Sequence, residues 1–152
     1  MKPVFTFLVF LISIQLFACD KNNEITGSIN DTPNTDNMKL KITIGSDTFN
    51  ASVYTNATAT AFKAKLPLTI NMMELNGNEK YFDLPVNLPA NASNPGTIQA
   101  GDLMLYGSNT LVLFYKSFST SYNYTPIARI DNPSGLVSAL GAGNITVKFE
   151  LQ

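Results

Sequence analysis

The chain has 152 residues, the size of one domain. Apolar residues make up 45% and charged residues 14%, with a formal net charge of -1, and the nine Lys and single Arg are scattered rather than gathered into the basic patch that nucleic acid requires. One Cys and no His exclude an internal disulfide, a zinc site built on imidazole or thiolate, and a nucleophile activated by a His base; no phosphate-binding loop is present, and neither a metal nor a cofactor is expected.

Lys2 gives a positive start to an apolar run from Val4 to Phe17, fourteen residues broken only by Thr6, Ser13 and Gln15. A membrane span needs about 20 residues, so the run reads as the apolar region of a secretory signal. It ends in Leu16-Phe17-Ala18-Cys19, which resembles the bacterial lipobox of a Leu, two mostly small residues and a Cys, with Phe17 larger than usual. That resemblance implies a lipoprotein signal peptide over 1–18 and a lipid anchor on Cys19. Each buried methylene contributes about 0.8 kcal/mol, so two or more acyl chains hold stably to a membrane. Residues 20 to 37, "DKNNEITGSINDTPNTDN", have too little apolar surface to offset their chain entropy. With Cys19 they read as a disordered tether, similar to those of Bacteroidetes lipoproteins. The expected location is the bacterial cell envelope, at the outer rather than the inner membrane, with the domain in the periplasm or at the cell surface.

Residues 38–152 are then the folded domain. "KLKITIG" alternates, with Leu40, Ile42 and Ile44 on one face, and "TFNASVY" follows a turn at Gly45 as its hairpin partner. A short helix is predicted over about 57–65, capped by Asn56 or Thr58 and stopped by Pro67, burying Ala61, Phe62 and Leu66. "PLTINMMEL" and "EKYFDLP" read as strands around a turn at Asn76-Gly77-Asn78, and "VNLPANASNPGTIQAGD" as a long loop. "DLMLYG" and "TLVLFYKSF" flank Gly107-Ser108-Asn109 as a second hairpin. "STSYNYTP" reads as a loop, "IARI" as a short strand, and "NPSGLVSALG" as a short helix with Asn132 as cap and Gly141 at its end. "NITVKFEL" alternates and closes the chain. Eight strands and two short helices in this order predict a mostly β fold, a closed eight-stranded barrel with a helix plugging each open end; closure removes exposed edges.

The order of "NGNEKYFDLP", "AGDLMLYGSNTLVLFY" and "YNYTPIARIDNPSGLVSALGAGNITVKFE" resembles the cyclophilin-like fold, and the small bacterial cyclophilin-like domains more closely than true cyclophilins. In true cyclophilins the resemblance implies a prolyl isomerase site with an Arg on the third strand and Phe, Gln, Trp and His around the groove. Here "LTINMMEL" carries no Arg, and the chain has no His and no Trp. The resemblance therefore implies the fold without the catalytic set.

The same resemblance places the groove on the outer face of the barrel. Asn71 and Met73 face outward if Ile70 and Met72 face in, and Tyr81 and Asp83 share that side if Phe82 and Leu84 are core. Tyr115 is outside if Phe114 is core, but "TLVLFYKSF" is apolar on both faces and leaves its register open. A barrel strand of that kind must be covered by a loop, a ligand or a partner. The loop adds Phe118, Tyr122 and Tyr124, with Arg129 beneath. The candidate ligand-binding set is Asn71, Met73, Tyr81, Tyr115, Tyr124 and Arg129, with no catalytic residue. The alternative is that the tyrosines are loop anchors and that Arg129 pairs with Asp131 or Asp83. Glu74, Glu79, Asp83 and Asp102 lie near strand ends, where acids are usually just solvated. The expected function is a non-catalytic binding module for a peptide, a protein partner or a small ligand. A residual prolyl isomerase and a surface glycan-binding or adhesin-like module are the alternatives.

Overall fold

The computed structural model describes residues 39–152. The expected signal segment and tether, Cys19 and Met38 lie outside the described residues. The chain runs β1 (Lys39–Ile44), β2 (Asp47–Val53), α1 (Ala57–Lys63), β3 (Leu68–Leu75), β4 (Glu79–Asp83), β5 (Thr97–Ile98), β6 (Asp102–Tyr106), β7 (Thr110–Phe114), β8 (Phe118–Ser119), β9 (Tyr124–Ile130), α2 (Leu136–Leu140) and β10 (Ile145–Leu151). Eight strands close a barrel in the order β1-β10-β3-β4-β7-β6-β9-β2, all paired antiparallel. The barrel strands are the eight expected from the sequence. β5 and β8 form a separate two-stranded pair, β5 from within the segment read as a long loop and β8 at the junction of "TLVLFYKSF" and the loop that follows it.

Alternation sets what each strand buries. Leu40, Ile42 and Ile44 of β1, Ile70 and Met72 of β3, and Val147 and Phe149 of β10 face the interior. Each such side chain contributes roughly 1.5–3 kcal/mol by leaving water. Both helices add to this cluster: Phe62 of α1 meets Phe149 edge-on at 5.8 Å, and α2 inserts Leu136 and Leu140. β1 lies between β2 and β10 along its whole length, and the Gln152 N–H donates to the Lys39 carbonyl at 3.0 Å, so the two ends of the described chain meet.

Three local expectations change. α1 ends at Lys63 rather than near 65, because the Lys65 and Leu66 N–H groups turn back onto Phe62 and Lys63 in a tightened last turn; Asn56 is its cap, its side chain accepting from the Ala59 N–H at 2.8 Å. Asn132 does not cap α2. Its side chain instead accepts from the Ser134 N–H at 3.1 Å in a turn before the helix, which starts after Gly135. The strand read as "IARI" begins three residues earlier, at Tyr124. Pro126 lies in the segment read as a loop. It is tolerated because the β6–β9 register shifts by one residue between Leu103 and Met104, a bulge that spares a ladder donor.

Gly101 sits where β6, β7 and β9 meet. Its N–H donates to the Phe114 carbonyl at 2.8 Å and its carbonyl accepts from Ile130 at 2.9 Å. Its φ is +95°, and an added Cβ would lie 3.0 Å from the Ile130 Cβ. Gly101→Ala is expected to cost about 1–3 kcal/mol in thermal unfolding. Gly143→Ala, which meets open space without a positive φ, should change it little.

Candidate functional site

On β7 the two faces divide between two clusters. Leu111, Leu113 and then Tyr115 point into the barrel, while Val112 and Phe114 point out. The outward side chains join Met104, Tyr124 and Ile98 in a second buried cluster, with Tyr81 and Phe118 packed against it. Phe114 meets Phe118 at 5.7 Å and Tyr124 at 5.4 Å. The β5–β8 pair is therefore the cover that an apolar outer face requires. The expectation that Tyr115 faces outward is overturned. Phe114 is core, but core of the outer cluster, so the alternation places Tyr115 inside.

Beside this flap the barrel's outer face is open. The register lines up Asp83, Thr110, Tyr106 and Tyr124 in one row across β4, β7, β6 and β9, and Tyr81, Val112 and Met104 in the next. Residues 118–122 form the opposite wall. The result is a groove of about 560 Å³. Tyr106 packs on Tyr122 at 6.1 Å and on Tyr124 at 5.6 Å, and both Tyr106 and Tyr122 keep large exposed faces. Burial, then the charge of Glu79 and the neighbouring Tyr106 and Tyr122, push the Tyr124 hydroxyl up to about 12, offset in part by Thr120. Tyr124 thus stays a neutral phenol at physiological pH.

Arg129 lies in a second concavity of about 300 Å³ with Tyr54, Pro95 and Pro126. Its Nε donates to Asp102 Oδ1 at 2.6 Å, and Asp102 Oδ2 accepts from the Gln99 N–H at 2.8 Å. The partner is thus Asp102, directly opposite on β6, and neither Asp131 nor Asp83. Asp131 is held by Lys39 and Ser52, and Asp83 by the Thr110 hydroxyl. The bond to Asp102 raises the Arg129 pKa further, against its partial burial.

Tyr115 borders a third concavity, about 480 Å³, with Val137 and Gly141. Its hydroxyl donates to Glu74 at 2.8 Å. Burial first, then that bond and the charges of Glu74 and Glu79, push it up to about 12. Glu74 also pairs with Lys80, a fully buried ammonium that donates to the Gly141 and Gly143 carbonyls at 2.9 and 2.6 Å. Burial alone would raise the Glu74 pKa, but Lys80, Tyr115 and the Gly77 N–H together bring it below the ordinary carboxylate value.

The six candidates therefore separate. Tyr81 and Tyr124 share the large groove. Arg129 meets Tyr124 only across the second, and Tyr115 belongs to the third. Asn71 and Met73 lie on the outer face of β3 as expected, but line none of the three. Tyr106 and Glu79 were missed as groove residues. The period of "EKYFD", with Glu79 on the same face as Tyr81, was the signal that could have found the latter.

The geometry is thus an antiparallel barrel with both helices packed into its core and an aromatic groove on its outer wall. A protein-family model described as "Cyclophilin-like family" matches residues 42–150, and the chain belongs to that family. Comparison with curated proteins and with solved structures gives no match.

Tyr124→Ala is expected to cost about 3 kcal/mol, since its ring is buried among Phe114, Met104 and Tyr106. Arg129→Ala should cost about 2 kcal/mol by leaving the buried Asp102 carboxylate short of a donor. Urea unfolding of the two variants checks both.

Proposed function

We propose that this domain is a non-catalytic binding module that takes an extended peptide segment in the outer-face groove, held at the bacterial envelope by a lipid on Cys19. The observation that carries the reading is the tyrosine-walled groove between the barrel face and residues 118–122. Tyr supplies contact area with only two side-chain torsions to freeze, plus a polar tip. The closed barrel beneath holds the wall in place before any ligand arrives, which lowers the ordering cost of binding.

An isomerase reading is less well supported. The outer face of β3 presents Asn71 and Met73 where cyclophilins carry Arg, and the sole Arg is tied to Asp102 in a different concavity. Family membership supports the scaffold, and function still has to be argued from the site.

The test is a titration of the full chain in detergent with proline-containing peptides, followed by NMR of the tyrosine rings. Saturable shifts at Tyr106 and Tyr122, without faster cis–trans exchange of the peptide, are expected. Tyr122 is 61% exposed, so Tyr122→Ala should change stability by less than about 0.5 kcal/mol while weakening binding about tenfold. Accelerated exchange would establish the isomerase instead. For the anchor, labelled palmitate should enter the chain in a bacterial host and be lost in Cys19→Ser; labelling that persists in the variant removes the lipid from the proposal.

A further inference from the structure

Four carboxylates sit near the strand ends, and three of them have donors. Glu74 has Lys80 and Tyr115, Asp83 has Thr110, and Asp102 has Arg129. Glu79 has none among the described residues. It is only 9% exposed and lines the large groove. The adjacent Asn78 also lines the groove, and its buried Oδ1 has no hydrogen-bond partner among the described residues. Among the described residues, no Lys or Arg lines this groove.

Burying an ionised carboxylate without a partner is costly, and a buried acceptor without a donor adds to that cost. Both costs fall on adjacent residues that open onto one aromatic groove. The missing chemistry is a group with several N–H donors, a positive charge and no acceptor. A primary ammonium has three donors and no acceptor. The groove also suits the rest of such a molecule. Tyr81 lies between Glu79 and Asp83 on the same face of β4, Tyr106 and Tyr124 continue that barrel face, and Tyr122 stands on the opposite wall. Tyrosine faces attract cations, and an apolar stem packs against their rings.

Resting on the reading of this groove as a ligand site, we propose that it selects a primary ammonium on an apolar stem, with the ammonium set against Glu79 and Asn78 and the stem against the tyrosines. A lysine side chain within an extended peptide and a free alkyl diamine both carry that chemistry. Asp83, about 13 Å further along β4 at strand rise, puts a second negative charge toward the groove's other end.

Burial and the charge of Glu74 raise the Glu79 pKa above its ordinary value of 4.5. The titratable groups coupled to it by charge are Glu74 from β3, Tyr115 after β7 and Tyr124 from β9, and Asp83 lies on the same face of its own strand. An ammonium binds the ionised form and so displaces a proton. Affinity should therefore fall as pH drops through the raised pKa. The sign for folding is the opposite of a paired carboxylate's. Glu79 costs nothing below pH 4.5, where it is protonated folded and unfolded, and destabilises the fold as pH rises toward and beyond its folded value. Glu79→Gln should hence unfold no more easily than the parent at pH 7, which makes it a folded test variant.

The experiment is calorimetric titration of the full chain in detergent with acetyl-Gly-Lys-Gly-amide, its norleucine counterpart and 1,5-diaminopentane. The Lys peptide is expected to bind at least about tenfold tighter than the norleucine peptide, and Glu79→Gln to remove that advantage without weakening the norleucine peptide. Binding by the diamine as strong as by the Lys peptide would place the source in free amines; binding by the Lys peptide alone would place it in peptides. Equal binding of the Lys and norleucine peptides, unchanged by Glu79→Gln, overturns the ammonium while leaving the groove a ligand site. If no ammonium probe binds, the proposal also fails, and proline peptides that still shift Tyr106 and Tyr122 would show that the groove reading survives without it.

Discussion

Leu111 and Leu113 on one side of β7, and Val112 and Phe114 on the other, load a single strand with apolar surface on both faces. The inner set needs a closed barrel and its helices; the outer set needs a cover. Burying both is what brings the β5–β8 pair down over the wall, although each of its strands is only two residues long. Neither piece has enough backbone pairing to persist alone. Ile98 and Phe118, set opposite each other, hold it down by packing onto Phe114 and its neighbours. The groove is the part of the outer face that this cover leaves open. Its tyrosines are continuous with the cluster that the cover buries.

Charge is arranged on the same plan. The barrel hides a lysine completely, and can do so because Lys80 finds a carboxylate, two carbonyls and the ring of Tyr115 at 5.5 Å. Those carbonyls follow α2, so the ammonium ties that plug to the wall. Asp102 is hidden on the outer side by the same logic, with one oxygen given to Arg129 and the other to the turn at Gln99. Against these satisfied groups, Glu79 and Asn78 stand out because the fold provides for every comparable neighbour.

How much of this was legible follows from where burial is one-sided. β1, β3 and β10 alternate cleanly, so their inward residues and the turns at Gly45 and Gly77 are readable from spacing alone, and closure into eight strands follows from their order. β7 was not readable in register, because a strand apolar on both faces carries no period. Tyr115 was misplaced for that reason. β5 and β8 left no signal, since two residues cannot show alternation. Pro126 hid three residues of β9, because the bulge that accommodates it shows only once β9 is paired with β6. At the site, Tyr81 and Tyr124 were reachable from period and composition. The separation of Arg129 from them was not, because it depends on Asp102 being its cross-strand neighbour.

The meeting of the chain's two described ends, where the Gln152 N–H reaches the Lys39 carbonyl, gives the barrel a mechanical character. β1 is clasped on one side by β2 and on the other by β10. A pull on the segment before Lys39 acts lengthwise on a strand held from both sides. Its cross-strand bonds then bear the load together in shear, instead of opening one after another as they would at a peeling edge. A domain joined to its surroundings at that point is gripped where its weave is tightest, and its groove, carried on the strands β4, β7, β6 and β9, is set apart from the strand that takes the strain.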